Sequence, residues 1–218
     1  MPTNRRSFLA RMSALSAASL FGGPARAHAI TLPNESPWDL SWLDGMKGKH
    51  KQVFDLGGRK LDPEHNALQV VRNYLNAHHD VYGLDYPNVN TIVGITSDAF
   101  PLNASDDIWK KFLIGERWKI TDPATNAPAT RNIFLDLPMT GAKGPANIRA
   151  MLDRGTAFWQ CNNALDGVVS TLAEATKRRA DELKPEIVAG LLPHVKLVPA
   201  HTMLIGLAQE HGFTYEKL

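Results

Sequence analysis

The sequence predicts a single three-layer α/β domain built on a mostly parallel sheet of about five strands. Three observations lead there. Short apolar runs alternate with segments of helical spacing. The apolar runs are continuous, as strands covered on both faces must be. No internal repeat, low-complexity tract or second domain interrupts the chain of 218 residues.

Taken in order, residues 1–29 read as a targeting segment rather than as structure. Asn4-Arg5-Arg6-Ser7-Phe8-Leu9 matches the twin-arginine export pattern, and Met12 to Phe21 follows as a weakly apolar run, too short to span a bilayer. Gly22-Gly23-Pro24 breaks any helix, and Ala25-Arg26-Ala27 and Ala27-His28-Ala29 each offer small residues to a signal peptidase. The expectation is a periplasmic protein, handled by the twin-arginine translocase and left with no membrane anchor after cleavage. Residues 30–49, with Pro33, Pro37, Trp38 and Trp42, read as an extended lead-in that lays its tryptophans on the body.

The domain itself is expected over 50–218. Lys51–Leu56 reads as a first strand, closed by Gly57-Gly58. Apolar residues at Ala67, Leu68, Val71, Tyr74 and Leu75 give helical spacing over Glu64–His79, with Asp62-Pro63 as its start. Asn90–Thr96 is a buried strand, and Asp106–Leu113 a helix stopped at Gly115. Residues 116–145 form an irregular insertion holding Pro123, Pro128, Pro138 and Pro145. A short helix over Ala146–Asp153 leads to a third strand, Thr156–Cys161, and then to one long helix, Asn162–Glu182. Val195–Val198 is a fourth strand, Thr202–His211 the last helix, and Phe213–Tyr215 an edge strand.

Charge excludes two partner classes. Of the 24 Lys and Arg residues, four lie in the first 29, which hold no acid; the remainder carries 20 basic against 22 acidic residues. A domain so balanced has no electrostatic footprint for nucleic acid or anionic lipid. With one cysteine, Cys161, no intrachain disulfide can form. No P-loop, dinucleotide fingerprint or nucleophile elbow occurs, so no cofactor is expected. The histidines lack ligand spacing, and His78 and His79, adjacent on a helix, point about 100° apart, so no metal is expected either.

Ligands of open parallel sheets gather at the carboxyl ends of the strands. That rule brings together Asp55-Leu56-Gly57-Gly58, Ser97-Asp98, Cys161-Asn162 and Pro199-Ala200-His201. Gly57, Gly58, Ser97, Asp98 and Asn162 are therefore candidates for a ligand cleft, Gly57-Gly58 as an anion nest or a plain tight turn. Cys161 ends a strand where a helix begins, with Asn162 as a suitable N-cap, and a helix start favours thiolate over thiol. The opposing reading is a buried cysteine acting as a small hydrophobe. His201 is a candidate partner for the thiol if its strand lies beside that of Cys161.

Three stretches carry a family resemblance: Gly155–Ala164, with the strand ending in Cys161; Leu191–Ala200; and Ala208–Tyr215, with its Gln, Gly and aromatic. In their order the chain resembles the DsrE/DsrF-like (YchN-like) family. The resemblance implies a small α/β sandwich around a five-stranded, mainly parallel sheet, assembling as trimers or hexamers. It implies that Cys161 stands where sulfur-relay members accept sulfane sulfur as a persulfide. The chain departs from those members in its export segment, its insertion and its His201-Thr202. Two functions are expected from this: sulfane-sulfur carriage or sensing on Cys161, or a non-catalytic binding or assembly module in which Cys161 is structural.

Overall fold

The computed structural model describes residues 36–138 and 142–218; the export segment expected over 1–29 lies outside the described residues. Five strands form one parallel sheet: β1 (His50–Asp55), β2 (Val89–Ile95), β5 (Ala157–Cys161), β6 (Val195–Val198) and β7 (Thr214–Lys217). Their order is β6-β5-β2-β1-β7, and every pairing is parallel. The chain thus walks from β1 to one edge of the sheet, then crosses back to lay β7 on the far side of β1. The α/β class and the five parallel strands are as the alternating pattern requires.

Alternation along the strands separates two apolar layers. Phe54, Val93 and Phe158 face one side, where they meet Leu68, Val71 and Leu75 of α1 (Leu68–Tyr82) and Leu165 and Leu172 of α5 (Asn162–Thr176). Val53, Ile92 and Trp159 face the other, under Leu204 and Ala208 of α7 (His201–Glu210) and Leu43 of a 3-10 turn, Ser41–Gly45. Every residue of β2, the central strand, is buried. Burial of that kind stabilises by roughly 25 cal/mol per Å² of apolar surface.

Several boundaries differ from the sequence expectation. The first helix starts at Leu68, because Asp62 accepts the Glu64 N–H at 2.8 Å and closes a separate turn, while Asn66 Oδ1 accepts the Leu68 N–H at 3.1 Å. The lead-in is not extended throughout, since Ser41–Gly45 coils to bury Leu43. Asp106–Lys111 (α2) is followed by a separate turn of helix, Ile114–Arg117 (α3). The long helix splits at Lys177, whose φ of 55° reverses the chain, and α6 (Ala180–Ala189) folds back to bury Leu183 and Ile187.

The insertion contributes to the core. It holds a two-residue hairpin, β3 (Thr121–Asp122) with β4 (Ala127–Pro128), and a 3-10 turn, Ile133–Leu135; α4 (Ile148–Asp153) then leads to β5. Ile120, Ile133 and Phe134 are buried, and the fully buried Asn132 side-chain nitrogen reaches the carbonyls of Pro101, Leu102 and Ala104 at 2.9–3.2 Å. A buried amide with such partners fixes backbone that would otherwise be irregular.

Candidate functional site

At the carboxyl ends of the strands, the α7 side holds a closed polar network. Asp55, the last residue of β1, shares a face with Val53 and is 5% exposed. Its Oδ1 accepts from the Gly57 N–H at 2.6 Å and lies 2.7 Å from His201 Nε2. Its Oδ2 accepts from Tyr215 Oη at 2.8 Å and Lys217 Nζ at 3.1 Å. Burial is the largest influence on this carboxyl and pushes its pKa up. The Gly57, Tyr215 and Lys217 hydrogen bonds and the His201 interaction outweigh it, leaving the pKa below the ordinary 3.8.

The neighbours of His201 fix its proton. Trp159 Nε1 lies 3.0 Å from His201 Nδ1, and an indole N–H can only donate, so Nδ1 accepts. Nε2 therefore carries the hydrogen and donates to Asp55. Burial, the largest influence, holds the imidazole below its ordinary 6.5 even though Asp55 pulls the other way. Gly94 makes this edge-on approach of the two rings possible: a Cβ there would stand 2.5 Å from Trp159 Cζ2 and 3.0 Å from His201 Cε1.

Cys161 belongs to the same closed region. It is 4% exposed, and its Sγ accepts from Ala164 N at 3.4 Å and His201 N at 3.2 Å. The sulfur thus caps α5 and meets the first N–H of α7, two helix starts converging on one atom. The sequence assigns the cap to Asn162; the structure assigns it to Cys161, since Asn162 is already the first residue of the helix. His201 does lie beside Cys161, but through its backbone. Its ring is turned to Asp55 and Trp159, so it is not a base for the thiol.

Gly57 and Gly58 resolve as a turn. Leu56 O accepts the Arg59 N–H at 3.3 Å, Gly58 takes a φ of 75°, and the Gly57 N–H is engaged by Asp55 rather than open to an anion. In folds of this class, ligands favour the place where strand order reverses. Here that place, between β1 and β7, is filled by the protein's own Asp55, Tyr215 and Lys217. Asp55 was placed by the sequence at a strand end, in Asp55-Leu56-Gly57-Gly58, with no role of its own. Trp159, Tyr215 and Lys217 carried no sequence signal, because only the β7–β1 register brings Lys217 opposite Asp55.

The opposite face is open. Ser97 and Asp98, just past β2, line a cleft of ≈ 580 Å³ together with Lys60 from the β1–α1 connection. Arg117, Trp118 and Lys119 close it from the end of α3, and Gly167 and Val168 of α5 form its wall. The side chains of Ser97, Asp98, Lys60 and Lys119 make no hydrogen bond or ion pair among the described residues. Two other hollows differ. One, between α5 and α6, has its Lys184 paired with Asp166 at 2.5 Å. The other has Arg154 bound to Asn76 at 2.7 Å and Asn76 bound to the Lys143 carbonyl at 2.9 Å. Of the five cleft candidates from the sequence, Ser97 and Asp98 reach this open cleft; Gly57, Gly58 and Asn162 do not line it.

Among the described residues, no three His, Cys, Asp or Glu side chains converge as metal ligands, and no helix is long and apolar enough to cross a membrane. The fold and its open cleft define an α/β domain of parallel-sheet type with a pocket at the strand ends. No family model and no curated protein matches the chain. Among solved structures, a protein of unknown function, MTH1491 from Methanobacterium thermoautotrophicum, overlaps 78% of this chain and 99% of its own at 16% identity, with a TM-score of 0.39. That overlap says nothing about activity.

Proposed function

We propose that the domain is a small-ligand-binding module whose ligand sits in the cleft beside Ser97 and Asp98, and that Cys161 serves the fold. One observation carries this reading. Ser97, Asp98, Lys60 and Lys119, whose side chains have no partner among the described residues, line a space of the size that holds small molecules, about 300–1,000 Å³, whereas the polar groups around Asp55 are engaged. The test uses Gly167→Phe. A Cβ at Gly167 would meet nothing within 4 Å, so a large side chain there enters open space. Saturation-transfer NMR with a library of small organic molecules should give hits on the wild type that Gly167→Phe loses. No hits, or hits that Gly167→Phe retains, would reject the reading.

A second reading is favoured by the two N–H donors on Cys161 Sγ, an arrangement that stabilises negative charge. In it the thiolate attacks the outer sulfur of a donor R–S–SH, forming Cys161–S–SH and releasing R–S⁻. The junction of α5 and α7 must open for this, because the residue is 4% exposed. Intact mass after polysulfide treatment should then show one added sulfur atom, absent in Cys161→Ser. A thiol that stays unmodified and resists alkylation until the protein unfolds assigns Cys161 to structure alone.

The place of action we propose is the periplasm, reached through the twin-arginine pathway. Replacing Arg5 and Arg6 by Lys should leave the uncleaved chain in the cytoplasmic fraction; unchanged processing would count against export by this route. Assembly into a homo-oligomer, trimer or hexamer, belongs to the same proposal and is read by light scattering.

A further inference from the structure

We infer that the cleft selects an anionic ligand with a planar apolar part, such as an aromatic carboxylate, sulfonate or phosphate; this rests on the cleft being the ligand site. Three cations, Lys60, Arg117 and Lys119, and one carboxylate, Asp98, line the cleft. Arg117 Nε is held by Phe112 O at 2.8 Å, which anchors the side chain and leaves its terminal nitrogens as donors. Lys60 and Lys119 have no counter-charge of their own among the described residues. Like charges gathered without partners repel one another, and an incoming anion relieves that repulsion.

The backbone holds this arrangement in place. α3 ends with Ile120 N returning to Gly115 O at 2.7 Å and Lys119 N to Glu116 O at 3.2 Å, which turns Lys119 to a φ of 55°. A lysine thus occupies a left-handed position where glycine is the easier residue. The apolar part of the site is equally defined. Trp118 is half-buried, its ring 6.0 Å from that of Phe100, and Val168 forms part of the wall. Gly167 sits inside α5, where glycine weakens a helix by roughly 1 kcal/mol relative to alanine. No neighbour crowds it, so packing does not demand glycine there, and it lines the cleft.

A matched pair of probes separates charge from shape. Anilinonaphthalene sulfonate carries a sulfonate on a planar apolar frame, and N-phenylnaphthylamine is the same frame without the charge. Fluorescence titration of the full chain should show the sulfonate binding about tenfold tighter, with the margin shrinking as salt rises. Lys119→Gly, which suits the left-handed backbone, and Lys60→Ala should together reduce that margin to the share of Arg117 while leaving the neutral probe unchanged. Gly167→Phe should remove both probes. If the two probes bind equally to the wild type and both are lost in Gly167→Phe, the anion selectivity is wrong and the cleft reading stands. If neither probe binds, or Gly167→Phe retains them, the cleft reading falls as well.

Discussion

The two sides of the sheet end in contrasting ways. On the α7 side, Asp55, His201, Trp159 and Cys161 form a buried set in which each polar atom has found a partner within the chain. On the α5 side, Ser97, Asp98, Lys60 and Lys119 line an open cleft and have no partner among the described residues. Both sets hold residue types common in active sites, so composition does not tell them apart. Satisfaction does. A group already hydrogen-bonded at every position stabilises a fold, and one without a partner is available to something outside it.

The sharpest way to break this contrast is to remove Asp55. Asp55→Ala deprives Gly57, His201, Tyr215 and Lys217 of one shared acceptor and should lower unfolding free energy by about 3–5 kcal/mol in urea titration. A loss under about 1 kcal/mol would mean the network is not structural. Gly94→Ala tests the same region by volume. Its methyl would push into Trp159, and a loss of about 1–3 kcal/mol is expected, with near-ultraviolet dichroism of the indole altered.

A smaller effect comes from pH. His201 and His194 are both held below the ordinary 6.5, chiefly by burial, so below that value the unfolded chain binds more protons than the folded one. The stability they contribute is complete above about pH 6.5 and is lost as pH falls toward their depressed values. Asp55, also depressed, adds a second loss at more acidic pH, below the unfolded value near 4. His201→Gln should flatten the slope between about pH 7 and 5, leaving the share of His194. An unchanged slope would place the histidine proton elsewhere.

The smallest expected effect sharpens the comparison from the other side. Lys60→Ala and Lys119→Gly remove side chains with no partner among the described residues, so each should shift stability by no more than about 0.5 kcal/mol. A large loss at either would show that the cleft charges hold the fold together, and the difference between the two faces would vanish.

Much of the fold was legible because it rests on local pattern. The uninterrupted apolar run around Val93 marks a strand with both faces covered, and the spacing from Leu68 to Leu75 marks a helix with one. The break at Lys177 was not legible, since neither glycine nor proline marks it; the reversal comes from α6 packing its Leu183 and Ile187 back on the core. The same limit applied at the site. Ser97 and Asp98 could be placed at a strand end, but Arg117 and Lys119 lie within the segment 116–145 read as irregular, and only folding brings them to the same cleft as Lys60.

Sequence alone determined the α/β alternation, the mostly parallel sheet of about five strands and, to within a residue or two, where the strands lie. These follow from periodicity and chain connectivity, which act over a few residues at a time. Tertiary structure alone decided which of the strand-end groups are sealed and which are open. It turned the His201 ring toward Asp55 rather than Cys161, and it brought Lys60 and Lys119 to the lining of one cleft. Hydrogen-bond satisfaction depends on partners far apart in the chain, such as Asp55 and Lys217, whose meeting is set by sheet register and by nothing local.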